Sequence, residues 1–281
     1  MKKSLKKLLT VSLAASVLFG TDLHMVIAEN SSEASSEQIE NSESETDTQM
    51  DGLPLISKAD LNEANGQDGN PAYVAVFGYV YDVTDIDEWE NGEHNGAQAG
   101  TDASSFFIES PHAIDTLEGL EQVGVYNDWE VSDDLLAEFN NENEELPNLV
   151  AVRGIVYDVT DEEAWPNGEH NGISAGSDAT DNFENDSPHE DDLLSTLKIV
   201  GKHVNYVFSE DELANFDGKD GNPAYIAVDG TVYDVTNFGA WADGEHQDMV
   251  TAGTDATDLF ESESPHNTEF LEALPLAGRF E

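Results

Sequence analysis

The sequence predicts an α+β fold: a small unit with a β-hairpin sheet and helices gathered at one side, repeated three times in tandem. Three observations carry this. Trp89, Trp165 and Trp241 follow one another at steps of 76 residues, and His94, His170 and His246 keep the same step. An apolar alternation broken by a tight turn appears three times, as "YVAVFGYVYDVT", "LVAVRGIVYDVT" and "YIAVDGTVYDVT". Each is followed by Trp, then by a stretch that reads as a helix start and ends at Ser-Pro-His. A self-similarity of this length marks one supersecondary unit stacked on its neighbours.

The repeats divide the chain at 53–126, 127–203 and 204–281. Each opens with a short helix, because Ser57, Ser132 and Ser209 stand where an N-cap belongs, and Ser209 with Glu212 forms a capping-box pattern. The hairpin comes next. Asp229-Gly230 is a strong two-residue turn signal, and Phe77-Gly78 and Arg153-Gly154 occupy the same place. "TDAS", "SDAT" and "TDAT" then begin a helix with Asp, Ser or Thr as caps. The proline of "SPH" stops it, since the residue before proline resists the helical region. A final apolar helix carries Leu117 and Leu120, then Leu193, Leu194 and Leu197, then Phe270, Leu271 and Leu274. Helices segregated to one side of a hairpin sheet make an α+β unit. With about 76 residues per unit and no cysteine, the core of each is thin, and something else is expected to fill it.

Upstream of the repeats the reading changes. Lys2, Lys3, Lys6 and Lys7 precede an apolar run from Leu8 to Phe19, and Val26-Ile27-Ala28 ends on a small residue. The run is too short to span a bilayer, so residues 1–28 are expected to be a secretory signal peptide and the protein to be secreted, with attachment at the cell surface as a variant. Residues 29–52 hold only Ala34, Ile39 and Met50 as apolar groups, which predicts a disordered acidic Ser/Glu-rich spacer.

The chain carries 60 Asp and Glu against 10 Lys and Arg, a net charge of −50. Without residues 1–28 it holds 59 acids against six bases, or −53. Nucleic acid is excluded as a partner, because like charges repel and no basic patch exists. The acidity suits salty surroundings or the steering of cationic partners. The lack of cysteine excludes disulfides, thiolate metal sites and covalent c-type haem attachment. There is no G-x-S-x-G, no P-loop and no dinucleotide fingerprint, so the chain is not read as an enzyme.

Histidine is the informative residue. Of eight, His24 lies in the leader, and His203 falls where the other repeats have Tyr126 and Phe280, which predicts a packed boundary ring. The remaining six form pairs: His94 with His112, His170 with His189, and His246 with His266, at separations of 18, 19 and 20 residues. Neutral imidazole ligates iron, zinc or copper. Glu93, Glu169 and Glu245 stand beside the first histidines as further candidate ligands for zinc. A helix-like apolar segment divides each pair, however, which suits a flat ligand held between two walls with one histidine on each face. Trp89, Trp165 and Trp241 are expected to be core anchors, and "DGKDGN" and "GQDGN" to be turns, since they lack the twelve-residue calcium loop with its closing Glu.

These residues resemble a family. "AYVAVFGYVYDVT", "GEHNG", "AGTDAS" and "SPH" in the first repeat, with their counterparts in the second and third, look like a cytochrome b5-type haem-binding domain of the compact bacterial branch of haem/steroid-binding proteins. The likeness covers nearly all of 53–281. It implies that His94, His112, His170, His189, His246 and His266 are axial ligands of three non-covalent haem b groups, one per repeat. The first histidine of each pair resembles the family's His-Pro-Gly-Gly element, with the proline replaced by Asn95, Asn171 or Gln247. The third repeat also has Asp248 in place of the glycine and a loop one residue longer. A related branch binds haem through tyrosine; Tyr81, Tyr157 and Tyr233, in strand alternation, pack or hydrogen-bond instead.

The resemblance implies a secreted tri-haem b-type cytochrome that carries electrons outside the cell. Its partners would be haem, a basic redox protein or an extracellular electron acceptor, and a further copy in a head-to-tail oligomer or filament. A secreted haem carrier or scavenger is the alternative, and an acidic cation-binding surface protein is a third reading.

Overall fold

The structure is a computed structural model that describes residues 53–143, 145–189 and 191–281. The expected signal peptide and acidic spacer lie outside the described residues. So does His24. No helix among the described residues is long and apolar enough to cross a membrane.

The predicted opening helices form at Lys58–Glu63, Asp133–Leu136 and Glu210–Leu213. Ser57, Ser132 and Ser209 each accept a backbone N–H from the first turn, and Ser209 with Glu212 completes a reciprocal capping box. Each helix buries one leucine, Leu61, Leu136 or Leu213. The hairpins pair Tyr73–Val76 with Tyr79–Asp82, Leu149–Val152 with Ile155–Asp158, and Tyr225–Val228 with Thr231–Asp234. Both turn residues have positive φ in every case: Phe77 and Gly78 at 54° and 82°, Arg153 and Gly154 at 50° and 80°, Asp229 and Gly230 at 50° and 73°. That left-handed turn matches the natural twist of the strands, which is why it tolerates even Phe and Arg.

Three sheets grow around these hairpins. The first has Tyr79–Asp82 in its middle, between Tyr73–Val76 and Glu121–Val125. The second runs Ser177–Asp178, Leu149–Val152, Ile155–Asp158, Lys198–His203, Glu130–Val131. The third runs Val207–Phe208, Leu276–Phe280, Thr231–Asp234, Tyr225–Val228, Thr254–Asp255. In the first sheet the two outer strands are reduced to single bridges, Leu55 to Val125 and Ala75 to Asp102.

The "DVT" triplets close the hairpins. Asp82, Asp158 and Asp234 accept the N–H of Thr84, Thr160 and Thr236 at 2.8–2.9 Å, and each threonine hydroxyl accepts the N–H of Ala72, Asn148 or Ala224 at 2.9 Å. The middle helices span Ser104–Glu109, Thr180–Asn185 and Thr257–Glu263. Their N-cap residues are alanines without a capping side chain, contrary to expectation. The cap comes from one residue earlier, where Asp102, Asp178 and Asp255 accept the N–H of Ser104, Thr180 and Thr257 at 2.9–3.0 Å. The hydroxyls of those three residues are thereby free to accept the N–H of Phe77, Arg153 and Asp229 in the hairpin turns, at 2.8–2.9 Å.

The last helices are Asp115–Glu118 and Thr268–Glu272; between them, Asp191–Thr196 is a tighter 3-10 turn. Leu117, Leu271 and Leu274 are buried, while Leu193 and Phe270 are exposed, so only part of the expected apolar face enters the core. The thin cores are thickened by sharing. Phe77, at the tip of the first hairpin, packs on Trp129 and Phe139 of the next segment, with ring centroids 6.1 and 5.2 Å away. One apolar cluster therefore runs from Leu61 to Val200. The following junction is ionic: Lys202, 2% exposed, sits between Asp128 and Asp234, with Nζ 2.8 Å from Asp234 Oδ2.

Candidate haem-binding sites

Each first histidine is placed by a strained turn. The backbone after the tryptophan takes two successive left-handed residues, Asn91-Gly92, Asn167-Gly168 and Asp243-Gly244. The glycine is forced at Gly92, where a Cβ would lie 2.2 Å from the Asn65 carbonyl oxygen, and at Gly244, where it would lie 1.8 Å from that of Asp217. Chain direction then reverses in a two-stranded ribbon that pairs His94 with Ala97, His170 with Ile173 and His246 with Val250. Asn95-Gly96 and Asn171-Gly172 are two-residue turns with positive φ at both positions. The extra residue of the third repeat makes a three-residue turn, with Gln247 at 53° and Asp248 at 55°.

These turns tie one ring nitrogen of each first histidine to a backbone carbonyl. His94 Nδ1 lies 3.1 Å from the Glu88 carbonyl oxygen, His170 Nδ1 2.8 Å from that of Ala164, and His246 Nδ1 3.1 Å from that of Ala240. A carbonyl only accepts, so Nδ1 carries the proton, and in the neutral ring Nε2 keeps its lone pair. This is how a protein fixes the tautomer and orientation of a ligating histidine. The tryptophans complete the support. Trp89, Trp165 and Trp241 are half-buried and stack on the histidine rings at 5.4, 5.4 and 5.0 Å, with interplanar angles of 30°, 28° and 20°. The core-anchor expectation holds and is extended: their bodies pack on the core, and one ring face also braces a histidine.

The second histidine of each pair follows the proline. Ser110, Ser187 and Ser264 accept the N–H of His112, His189 and His266 at 3.2, 3.0 and 3.0 Å, folding the Ser-Pro-His segment back toward the site. Phe107 stacks on His112 at 6.4 Å and Phe270 on His266 at 4.5 Å. The structure brings all three predicted pairs together. Ring centroids are 5.8 Å apart for His94 and His112, 5.9 Å for His170 and His189, and 6.1 Å for His246 and His266.

That spacing discriminates between ligands. Two metal–nitrogen bonds of about 2 Å each, with each ring centre roughly 1 Å behind its nitrogen, put the centroids about 6 Å apart. The observed ring spacing is therefore that expected of two imidazoles sharing one metal. Among the described residues no group of three or more His, Asp or Glu side chains converges as a metal site. The neighbouring glutamates do not join: Glu93, Glu169 and Glu245 alternate to the other side of their strands, and Glu245 meets Lys219 at 3.6 Å. Two imidazoles and no further side chain suit a metal whose remaining ligands come from a macrocycle. Exposed apolar groups beside the pairs fit such a plane: Phe106, whose ring faces the His94 turn at Gly96, Met249 in the His246 turn, and Phe270 on His266. Tyr81 and Tyr157 are buried in the strands instead, and burial, with the nearby Asp158 charge, pushes the Tyr81 hydroxyl up to about 12.

What sequence reasoning missed is the second layer. The carbonyl acceptors belong to Glu88, Ala164 and Ala240, whose side chains say nothing of the role. The turn asparagines, which in sequence only replace a proline, reach the histidines: Asn95 Nδ2 lies 3.1 Å from His94 Nε2 and Asn171 Nδ2 3.0 Å from His170 Nε2.

Fold and site together define a class: a small α+β unit that brings two imidazoles together beside exposed apolar side chains. Residues 209–281 match the family described as cytochrome b5-like heme/steroid binding domain. The chain is also similar to solved domains. One, a cytochrome b5 domain protein of Hadesarchaea YNP_N21, is 41% identical over 27% of this chain and 99% of its own, with a TM-score of 0.26. Another, from Methanococcoides burtonii, is 42% identical over 27% and 97%, also at 0.26. Cytochrome b558 of Ectothiorhodospira vacuolata, described as a prokaryotic homologue of cytochrome b5, is 24% identical over 27% and 99%, at 0.22. No curated protein matches the chain significantly. Through residues 209–281 the chain belongs to the cytochrome b5-like haem/steroid-binding domain family.

Proposed function

We propose that the chain is a secreted tri-haem b-type cytochrome, built from cytochrome b5-like modules at 53–126, 127–203 and 204–281, that carries electrons outside the cell. The observation that supports it most is the threefold recurrence of an imidazole pair at 5.8–6.1 Å with Nδ1 tied to a carbonyl. The haem supplies a one-electron couple when bound. The chain's residues set its surroundings. With both histidines of a pair holding the iron, no position would remain for a substrate, which favours electron transfer over catalysis. The carbonyl bonds to Nδ1 strengthen His94, His170 and His246 as donors, and the surplus of carboxylates favours the more positive ferric state. The acidic surface steers basic redox partners through weak, salt-sensitive encounters. Head-to-tail association of the third module with the first module of another copy extends the conduit in this reading.

A second reading, a secreted haem carrier, is favoured by one observation: His112 and His189 are exposed on short segments from which a ligand escapes readily.

The test is haem content with visible spectra. The full chain is expected to take up three iron-protoporphyrins with sharp low-spin bands on reduction. Replacing either histidine of one pair by alanine should lower the stoichiometry to two. A chain that retains no haem absorbance once unbound hemin is removed excludes both readings. Rapid haem loss to an apo-acceptor favours the carrier. Recovery of the protein from the medium, with a mature N-terminus at residue 29, tests secretion.

A further inference from the structure

We infer that Asn95 and Asn171 act as latches on the first two sites, so that the third site loads first. The inference rests on the haem reading above and concerns how the sites fill. In the first two repeats the tight Asn-Gly turn places the asparagine amide 3.1 and 3.0 Å from Nε2 of the preceding histidine. Because Nδ1 is already committed to a carbonyl, Nε2 is the acceptor and the amide N–H the donor. The lone pair that would bind a metal is therefore hydrogen-bonded within the protein. A metal about 2 Å from Nε2 would need the place the amide nitrogen holds, so the asparagine must swing away before ligation.

The third repeat is built differently. Its turn has three residues, and Gln247 makes no hydrogen bond to His246, whose Nδ1 is anchored like the others. Trp241 also stacks most closely there, at 5.0 Å and 20°. His246 thus presents an oriented Nε2 with no amide across it among the described residues. Across three sites with ring spacings of 5.8–6.1 Å, the amide on Nε2 is present at two and missing at the third, and that difference predicts an order.

The test uses full-length chains in which two of the three histidine pairs are replaced by alanine, leaving one site each. Hemin is titrated into the haem-free protein, with folding checked by circular dichroism. The chain retaining His246 and His266 should bind about 2- to 10-fold more tightly than the other two, the factor for one net hydrogen bond. In their own single-site chains, Asn95→Gly and Asn171→Gly should tighten binding by a similar factor; glycine keeps the left-handed turn while removing the amide. Gln247→Gly should leave affinity unchanged. Nitrogen NMR of the haem-free full chain should show Nε2 hydrogen-bonded in His94 and His170 but not in His246. If no chain binds hemin, the haem reading fails. If hemin binds but the third site is not the tightest, or the glycine variants bind equally or more weakly, the latch is overturned and the haem reading stands.

Discussion

His203 shows what one residue does when the surrounding charge is fixed. It is 2% exposed, with Nε2 2.7 Å from Asp133 Oδ1 and Nδ1 3.5 Å from Asp178 Oδ2. Burial opposes its positive charge, but Asp178 and Asp133 outweigh burial and raise its pKa above the ordinary value. A pKa raised on folding contributes stability that is complete below the unfolded pKa, about 6.5, and is lost as pH rises through the folded pKa. The difference in unfolding free energy between wild type and His203→Gln should therefore be largest below about pH 6 and shrink as pH rises above it. Urea unfolding at three pH values reads it; a difference that grows with pH contradicts the ion pairs. The sequence marks His203 as a boundary ring but not as a charged one, since Asp133 and Asp178 lie 70 and 25 positions away. The paired histidines were more legible, because each was presented three times in matched surroundings. The role of the tryptophans was not: stacking on a histidine and filling a core call for the same residue at the same position.

At the scale of elements, most of the fold follows from local chemistry. Serine caps, left-handed hairpin turns and the proline stop act within a few residues, and all appear where the sequence puts them. The less legible part is the tie between elements. The motif containing Asp178 and Thr180 reads as a helix start, yet Thr180 Oγ1 also accepts the N–H of Arg153, 27 residues earlier. Nothing in a four-residue motif announces so distant a partner. Thr180→Val preserves shape and β-branching while removing that acceptor. It removes the acceptor that the Arg153 N–H now uses in a partly buried place, at a cost of about 1–3 kcal/mol. The midpoint of urea unfolding should fall accordingly, and the Arg153 amide should exchange faster with deuterium. Unchanged exchange at Arg153 would show that the hydroxyl carries no such duty. Thermal unfolding reads the Phe77–Trp129–Phe139 cluster in the same way: Phe77→Ala opens a cavity between two segments and should cost about 3–5 kcal/mol.

Across the whole molecule the governing fact is charge. Sixty acids leave few places where a carboxylate can be buried, and the chain commits one of its ten bases to making such a place. Lys202, Asp128 and Asp234 are 2%, 2% and 5% exposed and come from three separate stretches of sequence. Burial works against the ammonium, but Asp234 and Asp128 more than offset it and hold Lys202 protonated well above its ordinary range. A buried ion group of this kind is a weak source of net stability but a strong determinant of fit, because losing one member strands the rest. Lys202→Met leaves two carboxylates without a cation and should cost about 3–5 kcal/mol. The triple variant Lys202→Met, Asp128→Asn, Asp234→Asn removes every charge together. Asparagine keeps an acceptor for the Thr236 N–H that Asp234 Oδ1 now holds at 2.8 Å and for the Lys58 N–H at 3.0 Å on Asp128. That variant should return to within about 1 kcal/mol of wild type, since a neutral replacement of similar volume avoids the desolvation cost. Denaturant unfolding of the three proteins decides the matter. Loss in the single variant with recovery in the triple identifies the group as a device of registry, fixing how the second segment meets the third. Equal loss in both means that the charges themselves hold the junction together.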